Sequence, residues 1–223
     1  MVNNMDYNSR ILIVSGGKVE EDVVKMLTNT YSYSKVIGVD KGLEVLDLLG
    51  INPDIVCGDF DTVNTIIFNK YKNKENSIIK EFPPMKDYTD THLAVDIAIE
   101  EGAKVVDICG GTGSRMDHFL GNLGVLAYAL TKEVKVYMWD ENNRIQIIDK
   151  GIVMKKDDGF GKYVSLIPYG GEVSGVTLKG FKYLLSNATL KQEESLGVSN
   201  ELVDEKCTIE IEAGRLVVIE ARD

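Results

Sequence analysis

The sequence predicts a three-layer α/β domain built on a parallel sheet, followed by a small all-β sandwich. Three observations predict it. Up to about residue 140, short apolar runs alternate with stretches of helical spacing. From about Lys150 the helical spacing stops, and short alternating segments succeed one another across glycine-rich turns. Three acidic clusters fall where an apolar run gives way to a helix: Gly58-Asp59-Phe60-Asp61-Thr62, Lys86-Asp87-Tyr88-Thr89-Asp90, and Gly110-Gly111-Thr112-Gly113-Ser114-Arg115-Met116-Asp117-His118. Repeated strand–helix units with near-continuous apolar strands imply a parallel sheet covered on both faces. Ligands of such sheets sit beyond the carboxyl ends of the strands, where all three clusters lie.

Taken in order, Arg10 to Ser15 reads as a strand, Glu21 to Asn29 as a helix and Lys35 to Asp40 as a strand. Gly42 to Leu49 has helical spacing and is stopped by Gly50 and Pro53. A short buried strand over Asp54 to Cys57 leads to a helix from Val63 to Lys74 and a strand from Ser77 to Lys80. Thr91 to Glu101 is helical, with Leu93, Ala94, Ile97 and Ala98 on one face. Lys104 to Cys109 is a strand, Asp117 to Leu130 a long helix, and Val134 to Trp139 a further strand. Beyond them, residues 162–167, 172–178, 206–212 and 216–220 alternate as half-buried strands do, which predicts a small antiparallel sandwich or barrel. The polar stretch Lys155-Lys156-Asp157-Asp158-Gly159 reads as a surface turn.

Composition narrows the function classes. A net charge of −10 argues against a nucleic-acid surface and suits a cationic small substrate. It would also repel a polyphosphate, so metal and local basic groups must reverse the field at any such site. No apolar run reaches 18 residues, and the start is too polar for a signal peptide, so neither membrane nor export is expected. Cys57, Cys109 and Cys207 lack close spacing and two of them end apolar runs. Buried free thiols in a reducing, cytoplasmic compartment are therefore expected.

Each cluster carries a chemical reading beside a structural one. In an extended chain Asp59 and Asp61 share a face, and two carboxylates side by side repel unless a cation sits between them. A hard ion such as Mg²⁺, shared with substrate phosphates, meets that need. Asp59 and Asp61 serve equally to close a strand and cap a helix. Asp87 and Asp90 fit a capping pair as well as a ligand pair, and Lys86 fits a solvated lysine as well as a phosphate partner. The glycine loop presents backbone N–H groups to an anion, with the Arg115 fork beside it. Asp117 can orient Arg115, bind metal or cap the helix. His118 and Asn122, one helical turn apart, share a face and serve either the site or the core. Three such clusters at one sheet edge point to phosphoryl chemistry.

In that order the motifs resemble the thiamine pyrophosphokinase family. The order is Gly-Asp-Phe-Asp-Thr, Lys-Asp-Tyr-Thr-Asp-Thr and Gly-Gly-Thr-Gly-Ser-Arg-Met-Asp-His-x-x-x-Asn. The likeness continues through Ser165-Leu166-Ile167-Pro168, residues 176–184 and Gly197-Val198-Ser199-Asn200-Glu201, so it spans about Arg10 to Glu220. It implies an α/β nucleotide domain over residues 1–145, which binds ATP and is catalytic, and a thiamine-binding β-sandwich over 146–223. It implies ATP-dependent pyrophosphoryl transfer to the hydroxyl of thiamine, giving thiamine diphosphate and AMP, in a homodimer with active sites at the subunit interface. By position, Asp59, Asp61, Asp87 and Asp90 match the metal and catalytic carboxylates. Asp40, Lys86, Arg115, Asp117, His118 and Asn122 match the ATP side, and Tyr163, Ser199 and Asn200 match the thiamine side. Thr62 stands where serine is usual, and Val39-Asp40-Lys41-Gly42 replaces Ala-Asp-Gly-Gly. Mg²⁺ on the aspartates would offset phosphate charge, and the Tyr163 ring would attract the thiazolium cation unless it is simply a half-buried strand tyrosine. Two other classes compete. One is a metal-dependent glycosyltransferase using Asp59-x-Asp61, which leaves the β-rich segment without a role; the other is a silent nucleotide-binding module.

Overall fold

The computed structural model describes residues 9–74, 77–83, 87–113 and 115–223. The chain forms two compact units, divided between Glu141 and Asn142. In the first, six parallel strands form as the apolar runs require: β1 (Arg10–Val14), β2 (Lys35–Val39), β3 (Ile55–Gly58), β4 (Ile78–Glu81), β5 (Val105–Cys109) and β6 (Lys135–Trp139). Their order across the sheet is β6-β5-β1-β2-β3-β4. Five helices link them: α1 (Glu21–Thr30), α2 (Gly42–Leu48), α3 (Thr65–Lys72), α4 (Asp90–Glu100) and α5 (Met116–Thr131). Right-handed crossovers put α1, α2 and α3 on one face and α4 and α5 on the other. Accordingly α2 packs on α3, and α4 packs on α5. The central strand β1 is fully buried from Ile11 to Val14, between β2 and β5. In-register pairing aligns Val14 with Gly38 and Cys109, Val39 with Cys57 and Gly58 with Glu81, so the strands reach one edge together.

One buried charge braces this sheet away from that edge. Asp107 on β5 is inaccessible to solvent and accepts from Arg10 Nε (2.5 Å) and Nη2 (2.9 Å), Tyr33 OH (2.9 Å) and Trp139 Nε1 (2.7 Å). Burial and that carboxylate push the Tyr33 phenol far above its ordinary pKa.

The second unit is a sandwich of two antiparallel sheets. One orders β12 (Asn200–Glu201), β9 (Tyr163–Pro168), β14 (Leu216–Ala221) and β7 (Asn143–Ile148). The other orders β11 (Leu185–Leu190), β10 (Val173–Lys179), β13 (Lys206–Glu210) and β8 (Ile152–Lys155). Val164, Leu166, Leu216 and Val218 of the first sheet share a core with Val176, Leu178, Leu190 and Ile209 of the second. Four of these strands, β7, β8, β11 and β12, were not expected from periodicity. β11 shows why: of Leu185-Ser186-Asn187-Ala188-Thr189-Leu190 only Leu190 is buried, so pairing with β10 rather than alternation makes it a strand. Among the described residues no helix is long and apolar enough to cross a membrane.

Candidate active site

Asp59 and Asp61 do not share the face of a strand. β3 ends at Gly58, and Phe60 takes a left-handed conformation (φ 58°) that breaks the alternation. The cause is packing: the Phe60 ring turns inward onto Phe68, 4.4 Å between centroids, beside Val56 and Leu43. Asp59 and Asp61 therefore lie in a turn, closed by the Asp61 N–H donating to Asp59 Oδ1 (3.2 Å). Asp59 is half-buried and Asp61 exposed. The turn is tied to Asp40 at the end of β2, whose N–H donates to Cys57 O (3.1 Å) and whose Oδ1 accepts from Phe60 N (3.4 Å). Gly58 makes this possible, because a Cβ there would overlap Asp40 Oδ1 and its φ of 145° suits glycine.

The second cluster leads into α4. Lys86 lies outside the described residues. Thr89, not the Asp87–Asp90 pair, is the N-cap, its hydroxyl accepting from His92 N (3.3 Å). Asp87 is exposed and Asp90 half-buried as the first residue of the helix. Between them, the Tyr88 ring lies 4.5 Å from His92, which lies 4.8 Å from Tyr128 on α5.

In the third cluster, Ser114 lies outside the described residues, Gly110 to Gly113 turn away from the end of β5, and Met116, Asp117 and His118 open α5 with Arg115 at its N-cap. Arg115 grips Asp117 with two bonds, Nε to Oδ1 (3.1 Å) and Nη2 to Oδ2 (2.5 Å). Asp117 also accepts from His118 N (3.0 Å). The guanidinium is the main reason the Asp117 carboxyl is held down at about 2, and the pair raises Arg115 in turn. Of the three roles open to Asp117, orienting Arg115 is the one seen. His118 and Asn122 differ in environment: His118 is exposed, whereas Asn122 is buried and donates from Nδ2 to Gly111 O (2.8 Å). Asn122 thus holds the glycine turn from beneath.

Sequence reasoning passed over the turn after β1, Ser15-Gly16-Gly17-Lys18. Ser15 Oγ and Thr91 Oγ1 are 2.6 Å apart in the interior, which fastens this turn to α4. Its signature, an apolar strand running into Ser-Gly-Gly-Lys, is of the same kind as the one at Gly110 and was available to be read.

In the second unit, Tyr163 is half-buried on β9 with Lys162 Nζ 4.9 Å from its ring centre. β12 lies alongside, Asn200 opposite Val164 and Glu201 opposite Tyr163. Ser199 is exposed with φ 56°, and its N–H donates to Ser165 Oγ (3.0 Å). Asn200 is buried and its amide is occupied. Oδ1 accepts from Tyr183 N (2.9 Å) and Glu201 N (2.9 Å), while Nδ2 donates to Tyr183 O (2.7 Å). This clasp fixes the backbone of Tyr183, whose side chain is exposed beside Lys182, itself paired with Glu201 (2.7 Å).

Among the described residues no three His, Cys, Asp or Glu side chains converge to hold an ion. Asp59, Asp61, Asp87 and Asp90, which match the family's metal carboxylates by position, contribute to no such group of three there. The donor set is nevertheless all carboxylate oxygen, on turns and at the first residue of α4. That suits an ion such as Mg²⁺, which keeps waters and takes one or two carboxylates plus substrate phosphate.

A parallel sheet whose carboxyl edge gathers carboxylates, an arginine and a glycine turn, continued in sequence by a β-sandwich, defines a class: a phosphotransferase-type α/β domain with an all-β partner unit. Comparison with known proteins makes it particular. Residues 27–138 match the thiamin pyrophosphokinase catalytic domain, and residues 150–216 match the thiamin pyrophosphokinase vitamin B1 binding domain. Over 214 residues the chain is 35% identical to the thiamine pyrophosphokinase of Bacillus subtilis, covering 96% of this chain and 99% of that protein. The crystal structure of the Bacillus subtilis enzyme superposes with a TM-score of 0.86 at 32% identity, over 96% of this chain and 99% of that one. The thiamin pyrophosphokinase of Geobacillus thermodenitrificans does so with 0.83 at 29% identity, over 96% and 98%. The chain belongs to the thiamin pyrophosphokinase family.

Proposed function

We propose that this protein transfers the pyrophosphoryl group of ATP to the hydroxyl of thiamine, giving thiamine diphosphate and AMP. The observation that carries it is the match of both halves, catalytic and vitamin B1 binding, to one family over nearly the whole chain. The thiamine alcohol attacks the β-phosphorus and AMP leaves, a displacement that needs in-line positioning and charge neutralisation more than covalent help. In this reading residues 1–145 bind ATP and residues 146–223 bind thiamine.

Arg115, aligned by Asp117, and the amides of the glycine turn held by Asn122 bind phosphate oxygens. Asp59, Asp61, Asp87 and Asp90 are the carboxylates that would hold Mg²⁺ together with the phosphates, and Asp40 stands with the ATP side. Mg²⁺, when bound, neutralises charge on the transferred group. One of these aspartates accepts the proton of the thiamine hydroxyl. Lys86 and His118 complete the ATP side.

On the thiamine side the rings of Tyr163 and Tyr183 face a cationic ligand. Asn200 acts by clasping Tyr183, and Ser199 lies next to it on the same strand end. The reading includes a two-fold homodimer with active sites at the subunit interface. Exposed Leu184, Val198 and Val203 on the second unit support it. A cytoplasmic setting accords with three buried cysteines that are all free.

The test is AMP release from Mg·ATP with and without thiamine. Thiamine-dependent AMP with thiamine diphosphate as co-product is expected. AMP formed at the same rate without thiamine, or none, overturns the reading. Light scattering at micromolar concentration is expected to give twice the chain mass, and a fully active monomer would refute the dimer.

A further inference from the structure

The strand order β6-β5-β1-β2-β3-β4 changes direction between β5 and β1. In open α/β sheets the crevice beyond such a reversal is where ligands bind. Two turns flank it here: residues 110–113 after β5, already given a role, and residues 15–18 after β1, which have none. We propose that the turn Ser15-Gly16-Gly17-Lys18 is a phosphate-binding wall of the nucleotide site, and that Lys18 leaves Glu20 to bind a phosphate of ATP. The inference rests on the ATP-dependent reading and extends it to a motif outside the three acidic clusters.

The turn meets the glycine cluster directly and reaches residues next to the other two. A Cβ at Gly17 would overlap the Gly110 carbonyl oxygen, and a Cβ at Gly113 would lie 2.6 Å from Lys18 N. The β1 and β5 turns therefore meet backbone to backbone, a closeness that only glycine on both sides allows. On its other flank a Cβ at Gly16 would lie 3.3 Å from Asp40 Cβ, and Asp40 binds the turn of Asp59 and Asp61. Beneath, Ser15 reaches Thr91 at the start of α4. Among the described residues, the amides of Gly16, Gly17 and Lys18 donate to no other backbone carbonyl. Successive amides left open at a strand end form an anion-binding concavity.

Lys18 supplies the charge. Its side chain is 72% exposed and pairs with Glu20 at 2.9 Å, with Asp140 and Glu141 adding to the negative field around it. The lysine end of this pair stands in solvent, where ion pairs are weak, and a lysine on a four-carbon stem can turn to a more highly charged partner. The edge gains from a further cation beside Arg115, because Asp40, Asp59, Asp61, Asp87 and Asp90 collect there and Asp117 offsets part of the Arg115 charge.

The experiment is calorimetric titration of Mg·ATP into the full chain without thiamine, comparing Lys18→Ala and Lys18→Gln with Lys25→Ala. Lys25 is an exposed lysine of α1 paired with Glu21 and Asp22, so its loss changes net charge equally. Both Lys18 variants are expected to bind ATP ~10-fold more weakly, with an unchanged melting temperature and an unchanged Michaelis constant for thiamine. Lys25→Ala is expected to stay within about twofold of the parent, because a remote surface charge is screened. ATP binding by the Lys18 variants within twofold of Lys25→Ala overturns the proposal. Because binding is read without thiamine, failure of thiamine as acceptor would instead show as normal ATP binding with no AMP release.

Discussion

Asn200→Ala is the perturbation whose cost can be worked from the structure. Asn200 is 4% exposed, and its amide makes three bonds to the chain: two accepted from Tyr183 N and Glu201 N, one donated to Tyr183 O. Truncation removes all three and leaves two N–H groups and a carbonyl without partners. At a net ~1 kcal/mol for each bond, the loss is roughly 2–4 kcal/mol. The lower end is the better figure, because Tyr183 itself is 60% exposed and water can reach its backbone. For a chain of this size that corresponds to a fall in Tm of roughly 5–15 °C. The functional consequence is separate. Without the clasp the Tyr183 ring is no longer held, and the Michaelis constant for thiamine should rise roughly 3- to 30-fold, the span of a lost cation–π contact. The constant for ATP should be unchanged. The assay is a thermal melt, followed by steady-state kinetics well below the variant's own melting temperature. Tyr183→Leu is the companion: its ring is exposed, so stability should hold while thiamine use weakens. An unchanged Tm in Asn200→Ala would refute the clasp accounting. A lowered Tm with thiamine constants unaltered in both variants would refute the assignment of this strand end to thiamine.

Asp59→Asn and Asp61→Asn should fold normally and lose ~10²–10⁴ in turnover, equivalent to ~3–5 kcal/mol of transition-state stabilisation; near-parental rates in a folded variant would remove their metal role. Gly58→Ala, which drives a Cβ into Asp40 Oδ1 at a backbone angle alanine avoids, should destabilise by about 1–3 kcal/mol and depress AMP release, and a silent substitution would contradict the coupling of the β2 and β3 turns. The Asp117 carboxyl, held at about 2 by Arg115, favours the folded state above its unfolded value near ~3.9, and that contribution fades as pH falls toward 2. A carbon-13 titration should show the low midpoint, and Arg115→Ala should return it toward about 4.

Sequence patterning alone was enough for the parallel domain, because β1, β2, β3, β5 and β6 are mostly buried and read as near-continuous apolar runs, Asp107 in β5 being the one charge past their first residues. It also sufficed for the family, since the motifs that carry the resemblance are contiguous. Strands such as β11 and β12 escaped it. Their side chains are mostly solvent-facing or too few to alternate, and only long-range pairing with β10 and β9 makes them strands. The residue-level site was legible in part. Composition and spacing marked Asp59, Asp61, Arg115 and Asp117, and the family resemblance marked Asn200, yet neither told what each one touches. Tertiary packing decided that: burial of the Phe60 ring turned Asp59 and Asp61 off a strand face, Asn122 went under the glycine turn, and Asn200 closed on Tyr183. It also decided that Ser15 to Lys18 meets the glycine turn of Gly110 to Gly113, Asp40 and Thr91. The physical reason is that hydrophobic periodicity is a local property of a chain, whereas the neighbours of a turn are set by the order of strands across a sheet.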